Sequence, residues 1–302
     1  SALVTFGLLD NDGRALTLTE VLHVIEPLVE SVRQRGLPLT SDVDLGRPTG
    51  LRAALRTLVR EGVIEEYAGG LEPVYAIARE RQHEAAFYRN TVTHYFIPRA
   101  ITELAAVRAS RTGAEGDVAR AVWNQALALR DLLKYEFFFP TKREFGELID
   151  TEAKLVRPDW RDAEIGADEL AESVKSSELL IAHRVVGPFL EAYRVVADRL
   201  ASRDPAAPID QDAFISECLG VARQRWLQHQ LHSGESITKD LMAGALKLAA
   251  NRGLMEPGGA EVAQARSEFA AELAGAVEAV SVIRRIALRQ WVASADAAPP
   301  AQ

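Results

Sequence analysis

Along most of this chain, apolar residues recur at helical spacing, and the clearest departures fall in its first 80 residues. Ala2 to Leu9 is a short apolar segment that runs into a turn at Asn11-Asp12-Gly13. Thr17-Leu18-Thr19-Glu20 spells a T-x-x-E capping box, in which the threonine side chain and the glutamate satisfy each other's end of a new helix. The helix it opens carries Val21, Leu22, Ile25, Leu28, Val29 and Val32 on a helical period up to a stop at Gly36. Pro27 inside this run predicts a kink or a break. A second helix follows Pro48-Thr49, carries Leu51, Leu55, Leu58 and Val59, and ends at Gly62. Val63 to Tyr67 and Leu71 to Ile77 then read as two short strands joined through Ala68-Gly69-Gly70, the signature of a hairpin. Helix, helix and hairpin is the order of a winged-helix module.

From about Arg79 onward the pattern is helical almost throughout. One long helix runs through Phe87 to Arg108 with a kink expected at Pro98, followed by a loop over Ser110 to Gly116. A helix over Val118 to Tyr135 leads into Phe137-Phe138-Phe139-Pro140, and Thr141-Lys142-Arg143-Glu144 is a second capping box whose helix ends before Pro158. After a polar linker over Asp159 to Gly166, helices cover Glu178 to Leu200, Asp212 to Leu231, Ile237 to Asn251 and Val262 to Trp291. No internal repeat and no sustained heptad is present. The expected architecture is mainly α. A small helix-helix-β-hairpin, winged-helix-like element occupies residues 1–78, a multi-helix domain residues 79–294, and a disordered Ala/Pro tail residues 295–302.

Composition narrows the function classes. With 48% hydrophobic and 26% charged residues, the 302-residue chain is of a folded type. Its net charge of −8 disfavours nucleic acid and non-specific binding to anionic lipid, unless a local basic patch overrules it. The single cysteine, Cys218, excludes an internal disulfide and thiolate metal clusters. No secretory signal is visible, and no apolar stretch reaches the ~20 residues that span a bilayer. The chain begins Ser1-Ala2-Leu3 and not with methionine, which points to a fragment or a processed product. Phosphate loops, dinucleotide fingerprints and nucleophile elbows are all missing, so no cofactor is expected. His229 and His232, three apart on a helix with Glu235 beyond, could present a metal pair. Ordinary placement of histidine near a helix end is the favoured reading.

The most distinctive segment is Phe87-Tyr88-Arg89-Asn90-Thr91-Val92-Thr93-His94, which resembles the Y-R-N-x-x-x-H stretch of bacterial and mitochondrial glycerol-3-phosphate acyltransferases. The agreement includes Val74 to Ala78, Leu132 to Pro140, Gly187 to Tyr193 and Ala249 to Leu254, five blocks in family order. The resemblance implies an enzyme that passes an acyl chain from acyl-CoA or acyl carrier protein to the sn-1 hydroxyl of glycerol 3-phosphate. It implies work at the cytoplasmic face of the bacterial inner membrane. That chemistry needs a base to take the hydroxyl proton, which the family supplies as His-x-x-x-x-Asp. Five residues after His23, His83, His94, His183, His229 and His232 stand Leu28, Tyr88, Arg99, Pro188, Gly234 and Ile237, none of them aspartate. The family's F-P-E-G element is missing as well. The chain therefore reads as a non-catalytic C-terminal module, with its partner an upstream acyltransferase domain of the same polypeptide.

Tyr88, Arg89, Asn90 and His94 are candidates for contact with that domain or its anionic substrate, Asn90 and His94 forming an i,i+4 pair. A buried polar network that fixes the interdomain contact is the favoured reading over direct substrate contact. Lys134, Arg143, Asn251 and Arg252, in or beside the family blocks, are candidates of the same kind. Phe137 to Phe139, flanked by Lys134, Lys142 and Arg143, suit a lipid contact or an acyl channel, with core packing favoured. Arg52, Arg56 and Arg60 make a basic stripe on the second helix. A winged-helix DNA-binding regulator with a helical effector domain would use it in the major groove. Against that, residues 1–80 hold twelve acidic and eight basic side chains. A catalytically dead structural relative of the acyltransferase is a third reading.

Overall fold

A computed structural model describes residues 1–9, 14–37, 44–112, 117–162 and 165–297. The chain divides into two compact units, Ser1–Phe96 with Arg289–Gln302, and Ile97–Leu288. The divisions fall inside two long helices.

In the first unit, α1 (Ala2–Leu8) precedes β1 (Leu16–Thr17), α2 (Leu18–Gln34), α3 (Pro48–Arg60), β2 (Glu65–Tyr67) and β3 (Val74–Ala76). The strands form an antiparallel sheet in the order β1-β3-β2, with Tyr75 of β3 opposite both Leu16 and Glu66. A two-residue strand carries no readable period, which is why β1 escaped the sequence pattern. The Thr17 capping box forms as expected: the threonine hydroxyl accepts from Glu20 N at 3.2 Å and Thr17 N donates to Glu20 at 2.8 Å. Gly36 (φ 60°) and Gly62 (φ 72°) take the left-handed conformation after α2 and α3, which stops both helices at low cost. Val4, Leu16, Ile25, Leu51, Leu55, Leu58, Ile64 and Tyr75 are buried together, and Trp291 packs on them.

α2 runs through Pro27 and the long helix α4 (Gln82–Arg111) runs through Pro98 without a break. Pro27 and Pro98 offer no N–H to the carbonyls of His23 and His94, residues on the exposed side of their helices.

The second unit takes in the C-terminal part of α4 and most of the last helix, α12 (Ala260–Ala297). Between them lie α5 (Val118–Leu132), α6 (Lys142–Val156), α7 (Ala167–Lys175), α8 (Ala182–Val185), α9 (Gly187–Ala201), α10 (Gln211–Leu227) and α11 (Lys239–Asn251). α9 is the centre of this unit, with Leu190, Ala192, Tyr193, Val195, Val196, Ala197 and Leu200 all buried. The second capping box forms at Thr141 and Glu144. Three expectations are corrected. α7 stands beside the expected linker, where no helix was read. The expected helix over 178–200 is split at Val186, because Pro188 has no N–H to offer and suits the first turn of a new helix. α10 ends at Leu227, so His229 (φ 56°) and His232 do not share a helix. The Asn11–Gly13 turn lies outside the described residues, as do residues 113–116 of the expected loop and 163–164 of the expected linker. Of the expected tail, residues 295–297 continue α12 and residues 298–302 lie outside the described residues. Among the described residues, no helix is long and apolar enough to cross a membrane.

Candidate functional site

The Tyr88–His94 segment forms part of α4 in the first unit, and its side chains divide by helical period. Phe87 (72% exposed), Asn90, Thr91 and His94 share the open face, three, four and seven residues apart. Asn90 and His94 are thus on one exposed face, as their spacing predicts. The other two candidates turn away from it. Tyr88 donates its hydroxyl to Glu61 at 3.1 Å, and that contact pushes the phenol above its ordinary range. Arg89 is buried, with its guanidinium on Asn90 Oδ1 at 2.8 Å, while Thr93 donates to its carbonyl at 3.1 Å. Arg89 braces the helix from inside the unit, and an exposed contact with an anionic substrate would fall to other residues. The His94 ring lies against Tyr95, centroids 3.9 Å apart.

In the second unit, three candidates meet. Lys134 donates to Asp131 at 2.8 Å and to Asn251 at 2.7 Å. Arg252 reaches Asp131 at 2.7 Å and Glu272 at 2.5 Å, with its guanidinium over the Phe269 ring at 5.2 Å. Arg108 donates to the Glu272 carbonyl at 3.4 Å. Burial pushes the Asp131 carboxyl up, but hydrogen bonds from Lys134 and Arg252 outweigh it and hold the group below its usual range. Burial likewise works against the Arg252 charge, and Glu272 and Asp131 more than restore it. This network ties the end of α5 to the end of α11 and to α12. It joins residues 117 and 121 positions apart in sequence. Arg143 takes no part; it is exposed and pairs with Glu147 at 3.4 Å.

The α5–α6 connection explains the phenylalanine run. Phe137 packs edge-on against Phe189, and Phe139 against Phe145. Arg130 donates to the Pro140 carbonyl at 2.9 Å and lies over the Phe139 and Phe145 rings. Glu136 accepts the Tyr193 hydroxyl at 2.6 Å; burial pushes both groups' pKa values up. Gly244 makes room for that bond, since a Cβ there would overlap the Glu136 carboxylate and lie 2.9 Å from Tyr193 Oη. Phe137 and Phe139 are thus half-buried in ring contacts, whereas Phe138 points fully outward.

Two buried carboxylates were not singled out by the sequence. Glu191 accepts from His232 N, Ser233 N and Ser236 Oγ at 3.1, 3.3 and 2.9 Å, and lies 2.8 Å from His232 Nδ1. Glu103 pairs with Arg99 at 2.9 Å and accepts from Ile181 N and Ala182 N. The readable signal for both is a charged residue inside an otherwise apolar helical run (Leu190-Glu191-Ala192, Thr102-Glu103-Leu104). Among the described residues, no cluster of His, Cys, Asp and Glu could hold a metal ion. Burial pushes the Cys218 thiol up to about 12, which keeps it out of its nucleophilic form. Saturated carboxylates of this kind position elements of the fold.

Comparison with known proteins agrees with this geometry. The profile of the family described as the glycerol-3-phosphate acyltransferase C-terminal region matches residues 1–258. Proteins of Mycobacterium bovis and of two strains of Mycobacterium tuberculosis, each named "Putative acyltransferase plsB1", are 37% identical over 294 residues. The match covers 96% of this chain and 47% of each relative, so the chain spans about half the length of these proteins. The chain belongs to the family of glycerol-3-phosphate acyltransferase C-terminal regions.

Proposed function

We propose that this chain is the non-catalytic C-terminal module of an enzyme that acylates the sn-1 hydroxyl of glycerol 3-phosphate to lysophosphatidic acid. The donor is acyl-CoA or acyl carrier protein, and the enzyme works peripherally at the cytoplasmic face of the bacterial inner membrane. The upstream domain of the same polypeptide supplies the catalytic histidine and aspartate and packs on the open face of α4. The observation that carries this reading is the exposed Phe87, Asn90, Thr91 and His94 face, which lies within the segment that most resembles the family. A largely exposed phenylalanine beside three polar side chains suits a protein contact. Lys134, Asn251 and Arg252 serve the module from within, by fixing α5, α11 and α12.

The element order α1-β1-α2-α3-β2-β3 and the sheet order β1-β3-β2 support a winged-helix reading of residues 1–78, with residues 79–294 as the helical domain. In this reading the winged helix is scaffold. DNA binding has no support, since Glu65, Glu66 and Glu72 stand exposed on the hairpin.

The test uses the polypeptide extended to its catalytic domain, assayed in detergent micelles. Phe87→Glu combined with His94→Glu lowers acyl transfer about tenfold or more, because a buried carboxylate at a contact costs ~2 kcal/mol or more. The thermal midpoint of the 302-residue chain stays unchanged, since both positions are exposed. Undiminished acyl transfer by the double variant would contradict the reading.

A further inference from the structure

We propose that Asn90 is the specificity-determining contact of the open α4 face, presenting two oriented N–H donors to an acceptor oxygen of the upstream domain; this rests on the domain contact proposed above. Asn90 is exposed, and the buried Arg89 donates to its Oδ1 from Nε at 3.3 Å and from Nη2 at 2.8 Å. A guanidinium carries N–H donors and no acceptor, so the amide oxygen is the atom that turns to it. The amide is thereby fixed in one of its two flips. Both hydrogens of Nδ2 stay available, and among the described residues they meet no acceptor.

The rest of the face is poor in donors. The Thr91 hydroxyl spends its proton on the Tyr88 carbonyl at 2.7 Å, Phe87 has none, and the His94 ring can add one. The Arg89 charge draws on Oδ1 and so strengthens the N–H groups at the other end of the same amide. Phe87 lies three residues before Asn90 on the same face, where it keeps water from such a bond once a partner covers it. The fitting partner group is an oxygen with free lone pairs, a backbone carbonyl or a carboxylate. The competing role is internal: Asn90 would serve only as the acceptor that a buried guanidinium requires. The two roles differ in which end of the amide matters, and aspartate separates them. It has the same shape, keeps an oxygen for Arg89 and replaces the donors by a second acceptor.

Asn90→Asp and Asn90→Ala are compared in the polypeptide extended to its catalytic domain, assayed in detergent micelles. Asn90→Asp lowers kcat about tenfold and Asn90→Ala about threefold, because two facing acceptors are worse than an unfilled one. Thermal midpoints of the 302-residue chain run the other way: Asn90→Asp keeps the midpoint and Asn90→Ala lowers it, since only alanine deprives Arg89 of its acceptor. A kcat for Asn90→Asp equal to or above that of Asn90→Ala would overturn the proposal and leave Asn90 as the acceptor for Arg89 alone. A defect of Asn90→Asp confined to KM for glycerol 3-phosphate would overturn it as well, by giving the donors to the substrate. The Phe87→Glu, His94→Glu double variant reads the domain contact separately. If it loses transfer while Asn90→Asp keeps it, the contact stands and the role of Asn90 falls; if both keep it, the contact itself falls.

Discussion

Glu103→Ala destabilises the second unit by roughly 3–5 kcal/mol, as expected when one partner of a buried ion pair is removed. Glu103 and Arg99 are 0% and 4% exposed, one helical turn apart on α4. The guanidinium is also held by Ser177 Oγ at 2.5 Å and by the Leu179 carbonyl at 2.9 Å. The carboxylate accepts from Ile181 N and Ala182 N at 3.0 and 2.9 Å, donors that open α8 and have no partner inside that helix. Alanine orphans two backbone donors and leaves a buried guanidinium with neutral acceptors only. Glu103→Gln retains one acceptor oxygen and costs about half as much. Against a total stability of about 5–15 kcal/mol for a domain, the alanine effect is readily measured by urea unfolding at neutral pH. A loss below ~1 kcal/mol would contradict the assignment of this pair as the clamp between α4 and the start of α8.

Glu191→Ala is the second large effect, about 3 kcal/mol, with a local signature. The carboxylate on α9 gathers four donors of the segment leading into α11: His232 N, His232 Nδ1, Ser233 N and Ser236 Oγ. Its removal frees that segment at both ends. Amide hydrogen exchange of His232 and Ser233 therefore accelerates by orders of magnitude while α9 itself stays protected. Unchanged protection at both amides would show that the segment is held by other contacts. Glu191→Gln should be intermediate, since one amide oxygen can serve only some of the four donors.

The sequence was most legible where the signal is local. Both capping boxes, the glycine stops at Gly36 and Gly62 and the hairpin stand where the residues placed them. A cap or a left-handed glycine acts over three or four residues, so its partners are adjacent in the chain. Legibility failed where an element is too short for a period, as with β1, or where a single proline outweighs an apolar run, as at Pro188. Among the candidates, the family blocks identified Lys134, Asn251 and Arg252, which the fold does bring together, but not Asp131 and Glu272, which join them. Arg252 meets Asp131 across 121 positions and Glu272 across 20, so tertiary packing chooses both partners; only Asp131, three residues before Lys134, carried a local mark. Arg89 shows the converse. Its neighbour Asn90 faces outward, yet its own side chain turns in, because one step along a helix rotates the side chain by about 100°.

The most direct test of the account is an acyl-transfer assay from acyl-CoA to glycerol 3-phosphate, run on this 302-residue chain beside the polypeptide extended to its catalytic domain. The account predicts no transfer by the chain and transfer by the extended protein. Transfer by the chain alone would contradict it, and would make His94 on the open face of α4 the first residue to replace.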